Sequence, residues 1–284
     1  MSHPVLQYSV EDERGLQRAE TLVLLHGFPD GPALWEKTSR HLQEQGYRVV
    51  RITLPGFEAA GSAAGKHPAE GGFEEVVLRL HATLSEAQAL GATILGHDWG
   101  AIFVYMLLRK YPDALSRVIC LEIGGAPRSF LLTALVLFYH GLLNLGYVLG
   151  PGLGDALIRG VCFCLRRPGY EHAIKPLAGH AWLYRQAWRE GGAEGPWRYY
   201  YRNGIASWTP PEGTPFLFLY GKESPKALRF HCEEWIQSVT ASSPKSRAAG
   251  ISGRHWFMLE SPEDFHAELD AFLGETSEQR RDRG

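Results

Sequence analysis

The 284-residue sequence lacks an excess of charge of either sign, and this limits the partners that it could bind. Its 29 Lys and Arg residues are balanced by 31 Asp and Glu residues, which gives a formal net charge of −2. A protein that binds nucleic acid needs a basic surface to contact the phosphates, and this balance predicts none. We therefore expect no nucleic-acid partner.

Cysteine is also scarce, and the four cysteines match no zinc-binding or redox spacing. They are Cys120, Cys162, Cys164 and Cys232. We predict buried free thiols in a reducing compartment, and neither a metal nor an organic cofactor is implied. The first twenty residues are polar with scattered charges and lack the apolar stretch of a signal peptide, which favours a cytoplasmic location.

Long uncharged runs are absent except for residues 130–150, which approach the length of a membrane-spanning helix. This stretch contains His140, Asn144 and three glycines, and it lies mid-chain between segments typical of a soluble fold. We predict a buried or cleft-lining helix rather than a membrane span, with attachment to a membrane surface as the alternative.

The order of secondary structure predicts an α/β fold. Apolar runs that read as strands alternate with helical patterns through the first 125 residues, as in a parallel sheet with crossover helices. The predicted strands are 21–25, 48–53, 92–95, 117–122, 215–220 and 247–251, and the predicted helices outside the middle section are 33–45, 73–90, 101–111, 227–239 and 264–273.

The middle of the chain, from 128 to about 211, reads as helical and aromatic with no clear strand. We predict a core formed by residues 1–126 and 213–276, a helical cap at 127–212 and a flexible tail at 277–284. An insertion there would lie above the carboxyl ends of the strands, where open α/β sheets bind ligands.

A short glycine-bounded motif, residues 96–100 (GHDWG), follows a predicted strand and precedes a predicted helix. This is the context of a nucleophile elbow, with Asp98 in the central position. A carboxylate is already ionised at neutral pH and could attack a saturated carbon directly to form an alkyl ester. The motif therefore predicts epoxide opening or halide displacement, whereas the alternative is a loop with a capping aspartate.

Three motifs together resemble the epoxide hydrolase and haloalkane dehalogenase branch of the α/β-hydrolase superfamily. They are residues 26–29 (HGFP), 96–100 (GHDWG) and 253–256 (GRHW). The resemblance implies a mostly parallel sheet with helices on both faces and a cap inserted after the strand that ends at Glu122. It also implies that Asp98 is the nucleophile and His255 the base. The backbone N–H groups of Phe28 and Trp99 would form the oxyanion hole.

The acid that orients His255 has two candidates. Relatives often carry an aspartate shortly after the strand 215–220, but Ser224 occupies that position here and Glu223 lies one place earlier. Glu122 resembles the acid of one dehalogenase subgroup. A carboxylate at the end of an apolar strand is costly to bury without a partner, and a histidine would supply one. We favour Glu122 and keep Glu223 as the alternative.

Epoxide opening needs an acid for the emerging alkoxide, and relatives use cap tyrosines. Tyr201 lies in a motif that resembles one of these, although the adjacent Tyr199 and Tyr200 leave its register open, and Tyr139 is a weaker match to the other. A dehalogenase of that subgroup would need a side-chain N–H donor where Phe28 stands. We therefore expect hydrolysis of a small hydrophobic epoxide by water. A haloalkane dehalogenase and a non-catalytic ligand- or partner-binding protein are the alternatives.

Overall fold

The computed structural model describes residues 3–12, 20–58, 71–124, 130–169, 177–192, 208–224 and 229–281, with the side chains of residues 130, 132 and 275–281 left out. Seven strands form one sheet in the order β1-β3-β2-β4-β5-β6-β7. They are β1 (Tyr8–Glu11), β2 (Thr21–Leu25), β3 (Arg48–Ile52), β4 (Thr93–His97), β5 (Arg117–Leu121), β6 (Phe216–Gly221) and β7 (Arg247–Ile251). Only β1 is antiparallel to its neighbour, so the sheet is mostly parallel, as predicted.

Helices cover both faces of this sheet. They are α1 (Glu36–Glu44), α2 (Gly72–Glu86), α3 (Trp99–Lys110), α4 (Phe130–Leu149), α5 (Leu153–Cys164), α6 (Leu177–His180), α7 (Trp182–Gly191), α8 (Glu233–Thr240), α9 (Phe257–Glu260) and α10 (Pro262–Arg281). A 3-10 turn at Pro32–Trp35 precedes α1. The α/β architecture is confirmed. The sequence did not predict β1, an edge strand, and the exposed side chains of this strand explain why its pattern is weak.

The alternating side chains of the strands divide between two apolar layers, one on each face of the sheet. Val23 and Leu25 of β2 pack with α2 and α3, whereas Leu22 and Leu24 pack with α1 and α10. All four are fully buried. A strand that is apolar at every position therefore marks a sheet covered on both sides, and this is what made the central strands readable in the sequence.

Helices α4–α7 (the cap helices) lie over the carboxyl ends of β2 and β3. The Trp182 indole N–H donates to the Pro55 carbonyl at 2.6 Å, and His180 Nδ1–H donates to the Pro29 carbonyl at 3.3 Å. Both carbonyls belong to loops that follow strands of the core. These bonds place the cap helices beside the residues that the sequence motifs single out.

Helix α4 was predicted to be buried or to line a cleft, and only one of its sides is buried. Its inner face, with Val136, His140 and Leu143, is buried, but its outer face is exposed and equally apolar. No helix in the described parts of the chain is long and apolar enough to cross a membrane. The cysteine prediction also needs correction: Cys120 and Cys162 are buried free thiols, but Cys232 is partly buried and Cys164, beyond the packed face of α5, is exposed.

Candidate active site

The turn between β4 and α3 holds Asp98 in a constrained backbone conformation. Its φ of 53° and ψ of −121° lie in a region that side-chain-bearing residues rarely adopt. Glycines make the turn possible: a Cβ on Gly100 would lie 2.5 Å from the Leu25 carbonyl oxygen, and one on Gly96 would lie 2.9 Å from the Ala101 nitrogen. The chain therefore turns sharply and places the Asp98 side chain at the carboxyl edge of the sheet.

The loop after β2 closes tightly over Asp98. A Cβ on Gly27 would lie 2.5 Å from the Asp98 Cβ, so only glycine fits there. The next residue, Phe28, donates its backbone N–H to Asp98 Oδ1 at 2.8 Å. One carboxylate oxygen is thereby held by the backbone, while the other, Oδ2, points towards His255.

His255 lies between two carboxylates. Its Nε2 is 3.7 Å from Asp98 Oδ2, and its Nδ1 is 3.5 Å from Glu122 Oε2. Glu122 is only 5% exposed, and its Oε1 accepts a hydrogen bond from the Gly221 N–H at 2.5 Å. The structure thus brings together Asp98, His255 and Glu122 in a row at the ends of three strands.

Glu223, the alternative acid, does not contact His255 in the described structure. Its backbone N–H donates to the Gly253 carbonyl at 2.9 Å, and its Oε1 accepts from the Gly253 N–H at 3.2 Å. Glu223 therefore braces the loop that carries His255 from its solvent-exposed side, two residues away from the imidazole.

Burial and charge shift the pKa values of both groups. Burial raises the pKa of Asp98, and the charge of His255 and the N–H groups of Phe28 and Trp99 only partly oppose this. Burial alone would lower the pKa of His255. The hydrogen bond and charge of Glu122, followed by the charge of Asp98, outweigh burial and raise it above its ordinary value.

Two further histidines hold the loops around this row. His97 Nε2–H donates to the His255 carbonyl at 3.1 Å, and burial keeps the His97 pKa well below its usual value, so the ring is neutral. His26 accepts the Leu54 N–H on Nε2 at 3.1 Å, and burial lowers its pKa to about 4. Neither ring is bonded to Asp98 in the described contacts, and His255 is the histidine that lies beside its Oδ2.

Two cap tyrosines form a pair beside the site: the charge of Asp98 acts on Tyr184, and Tyr139, the one that the sequence pointed to, contacts Tyr184. The hydroxyls of Tyr139 in α4 and Tyr184 in α7 are hydrogen-bonded to each other. The Tyr184 ring lies edge-on to Phe28 at 5.0 Å and to Trp99 at 5.5 Å between centroids. Burial, the Tyr139 hydroxyl and the charge of Asp98 raise the Tyr184 pKa well above its usual value, so its phenol is protonated at neutral pH.

Tyr201, the other predicted tyrosine, lies outside the described residues, as do Tyr199 and Tyr200. Nothing in the sequence around Tyr184 resembles the family pattern. The one available signal was its place on an amphipathic helix whose inner side carries Trp182 and Leu183, and such a pattern ordinarily indicates packing.

A buried ion pair joins the cap to the loop behind the site. Asp30 is 3% exposed, and its Oδ1 accepts hydrogen bonds from Arg167 Nε at 3.0 Å and Nη2 at 2.5 Å. Its Oδ2 accepts the Trp256 indole N–H at 2.8 Å. Asp30 directly follows the HGFP motif, and its link to the residue next to His255 could not be read from the sequence.

Comparison with known proteins agrees with this fold. Residues 20–262 match the family described as the alpha/beta hydrolase fold. Epoxide hydrolase A of Mycobacterium tuberculosis is 24% identical over 92% of this chain and 92% of its own length. A haloalkane dehalogenase of Psychrobacter cryohalolentis is 27% identical over 37% of this chain and 34% of its own length.

Among solved structures, epoxide hydrolase A from Mycobacterium thermoresistibile has a TM-score of 0.58 and is 23% identical, with 94% of each chain covered. At this identity the likeness shows the fold and not the reaction. The family match spans most of the sequence and includes the elbow, the cap helices and His255. The chain belongs to the α/β hydrolase fold family.

Proposed function

We propose that this chain is an epoxide hydrolase that works through an alkyl ester on Asp98. The observation that carries the proposal is the row in which His255 lies 3.7 Å from Asp98 Oδ2 and 3.5 Å from Glu122, with the protonated phenol of Tyr184 facing the same carboxylate. Nucleophile, base, orienting acid and proton donor are all supplied by this chain.

In the first half-reaction, Asp98 Oδ2 attacks one carbon of the epoxide. The carbon–oxygen bond of the ring breaks as the ester bond forms, and the electron pair moves to the departing oxygen. The Tyr139–Tyr184 pair donates the proton that converts this alkoxide to a hydroxyl. The raised pKa of Tyr184 is consistent with this role because a phenol that remains protonated is available as an acid.

In the second half-reaction, His255 Nε2 takes a proton from a water molecule that attacks Cγ of the ester. The negative charge develops on Oδ1, where the Phe28 N–H already points and the Trp99 N–H contributes. Glu122 holds His255 Nδ1 and stabilises the imidazolium. Collapse of this intermediate expels the diol oxygen, which takes the proton from the His255 imidazolium. The new Asp98 carboxyl group returns its proton to the tyrosinate, so the carboxylate, the imidazole and the tyrosine pair are all restored.

The pKa of His255 differs between the two half-reactions. While Asp98 is ionised, its charge helps to raise the His255 pKa. Esterification removes that charge, so the His255 pKa falls at the step in which the imidazole must act as a base. The change favours water activation only after the ester has formed.

Halide displacement through the same nucleophile is the second candidate. It would need side-chain N–H donors for the leaving halide, and Phe28 offers none. The Trp99 side chain has a hydrogen bond with Tyr184, which partly opposes the rise in the Tyr184 pKa. An indole N–H engaged with a phenol supports epoxide opening over dehalogenation.

The test uses His255→Gln as a trap and styrene oxide as a probe. We expect His255→Gln to accumulate a covalent adduct with the mass of protein plus epoxide, because alkylation proceeds while hydrolysis slows by about 10²- to 10⁴-fold. His255→Gln/Asp98→Asn, the matched control, should gain no mass. Intact-protein mass spectrometry measures both.

A single turnover of the unaltered enzyme in ¹⁸O water should place the label in Asp98 and leave the first diol unlabelled. Label in the first diol would mean that water attacks the epoxide directly, which would overturn the ester route. Halide release from haloalkanes without diol formation from any epoxide would move the assignment to dehalogenase.

A further inference from the structure

The outer side of the cap helices carries most of the exposed apolar surface of the described chain. Nine of the eleven exposed large hydrophobic side chains lie between residues 131 and 165, in or directly after α4 and α5. They are Leu131, Leu135, Phe138, Leu145, Val148, Leu149, Leu153, Phe163 and Leu165, and we call them the apolar roof. Monomeric proteins rarely expose so many large apolar side chains together.

The apolar roof follows helical geometry. Along α4 the roof residues are separated by three, four or seven positions, apart from the adjacent pair Val148 and Leu149, and this spacing keeps them on one side of the helix. The buried residues Val136, His140 and Leu143 form the opposite side. The helix is thus apolar on both sides, and core packing accounts for only one of them.

The hairpin of α4 and α5 is tightly closed, so its two outer faces adjoin. Their backbones approach at Gly146 and Gly154, where a Cβ on Gly154 would collide with the Gly146 carbonyl. Exposed positions of α5 include Leu153 and Phe163, at 72% and 62% exposure. Helix α4, with 20 residues, extends about 30 Å. The hairpin therefore presents a long, closely packed apolar surface.

In the described part of the cap, the fully exposed charged side chains have one sign. The exposed charged side chains in the described cap, residues 130–169 and 177–192, are all arginines: Arg166, Arg185 and Arg189. Its two acids are less exposed and hold backbone N–H groups, since Asp155 accepts from Ala178 and Glu190 accepts from Phe73. The cap therefore exposes cations although the whole chain has a net charge of −2.

We propose that the apolar roof docks on the surface of an anionic lipid bilayer, lying in the interface without crossing it. Side chains such as Phe138 and Leu153 would enter the acyl boundary, and Arg166, directly after the roof, would meet the lipid phosphates. The proposal concerns the outer faces of α4 and α5, and it does not depend on the reaction proposed for the site beneath them.

A second copy of the chain is a less suitable occupant. Two roofs brought together by a twofold axis would juxtapose arginine-bearing caps without an exposed carboxylate from the described cap to pair with them. An anionic bilayer instead supplies the opposite charge and the apolar medium at once. The observed combination of large apolar side chains and arginines is typical of interfacial helices.

The experiment measures co-sedimentation of the full-length protein with sucrose-loaded vesicles of phosphatidylcholine alone or with phosphatidylglycerol. We expect binding to the anionic vesicles, and a fall of about tenfold or more in the partition coefficient for Leu153→Glu/Phe163→Glu. Val10→Glu/Leu90→Glu is the matched control, because it adds the same charge outside the roof. Val10 and Leu90 are the two other exposed large apolar residues of the described chain. It should bind like the unaltered protein.

Failure to bind either type of vesicle, or equal loss in both double variants, would overturn the proposal. Light scattering coupled to gel filtration supplies the other decisive outcome: a dimer that dissociates only in Leu153→Glu/Phe163→Glu would assign the roof to a second copy. Turnover of a water-soluble epoxide by that variant should be unchanged, so a failure of docking is distinguishable from a failure of the proposed reaction.

Discussion

The candidate site has a sheet half, formed by Asp98, Glu122 and His255, and a cap half, formed by Tyr139 and Tyr184. Different interactions hold the two halves in place. In the sheet half, backbone pairing fixes the side chains: His97 pairs with Leu121, so the residues that follow them, Asp98 and Glu122, emerge side by side. In the cap half, Tyr139 and Tyr184 come from two helices and meet through their rings and hydroxyls, with no backbone pairing between them. Strand register thus determines the positions of the proposed nucleophile and its acid, whereas helix packing determines the position of the proposed proton donor.

This difference predicts in which half of the site the reaction tolerates substitutions. A shift of one residue in a parallel strand would move every side chain to the other face of the sheet, so the sheet half has one register. Helices can slide or tilt by small amounts at modest cost. We therefore expect the largest functional losses from substitutions in the sheet half and smaller, more graded losses from the cap half.

Glu122→Gln should give the largest effect among the variants that compare these halves. The hydrogen bond and then the charge of Glu122 are the two largest influences that raise the His255 pKa, and Glu122→Gln weakens the first and removes the second. Ester hydrolysis should slow by about 10²- to 10³-fold. The hydrolysis rate falls at low pH as His255 becomes protonated, and we call this part of the pH profile the acid limb. Because the His255 pKa falls in this variant, the acid limb should move to lower pH. Stopped-flow measurement of adduct decay against pH checks both.

Glu223→Gln is the matched control for this prediction. Its amide oxygen can still accept the Gly253 N–H, so hydrolysis should change less than about tenfold, with no shift of the acid limb. A loss in Glu223→Gln that equals or exceeds that in Glu122→Gln would reverse the assignment of the acid.

The sheet half could be predicted from sequence because each of its residues directly follows a strand or a glycine-bounded turn. Asp98 and His255 were indicated by motifs of four or five residues, and Glu122 by the cost of a carboxylate at the end of an apolar strand. The family match and the α/β fold confirm the framework, while the roles of these residues remain proposals.

The cap half could not be predicted in the same way because its contacts join residues far apart in the chain. The hydroxyl pair of Tyr139 and Tyr184 spans 45 positions, and the Arg167 link to Asp30 spans 137. Helical periodicity shows that one face is buried but not what it is buried against. The outer face of α4 shows the same limit, since the apolar sequence of this helix predicted burial or a place beside a cleft and did not show which of its sides would be exposed.

Tyr184→Phe tests the cap half with an intermediate effect. Removal of the hydroxyl that faces Asp98 should slow adduct formation by about 10²-fold, while decay of an adduct already formed should change little. Tyr139→Phe, the comparison variant, removes only the partner hydroxyl and should cost about tenfold. Rapid-quench mass spectrometry separates the two steps. Equal slowing of formation and decay in Tyr184→Phe would indicate a structural role instead.

The smallest expected effect on turnover comes from Asp30, which connects the two halves. Asp30→Asn removes a buried charge that contributes to the raised pKa of His255, whereas Arg167→Met removes the cation that neutralises it. Both variants break the same buried ion pair, and both should lower the free energy of unfolding by about 3–5 kcal/mol. The rate of turnover should fall only a few-fold.

The direction of the pH shift distinguishes an electrostatic role for Asp30 from a purely mechanical one. Asp30→Asn should move the acid limb of ester hydrolysis to lower pH, because the His255 pKa falls, and Arg167→Met should move it to higher pH. Denaturant unfolding and the pH dependence of adduct decay measure the two quantities independently. If both variants lose stability but the limb stays in place, the ion pair only holds the cap on the sheet. The charge that sets the His255 pKa then comes from Glu122 and Asp98 alone.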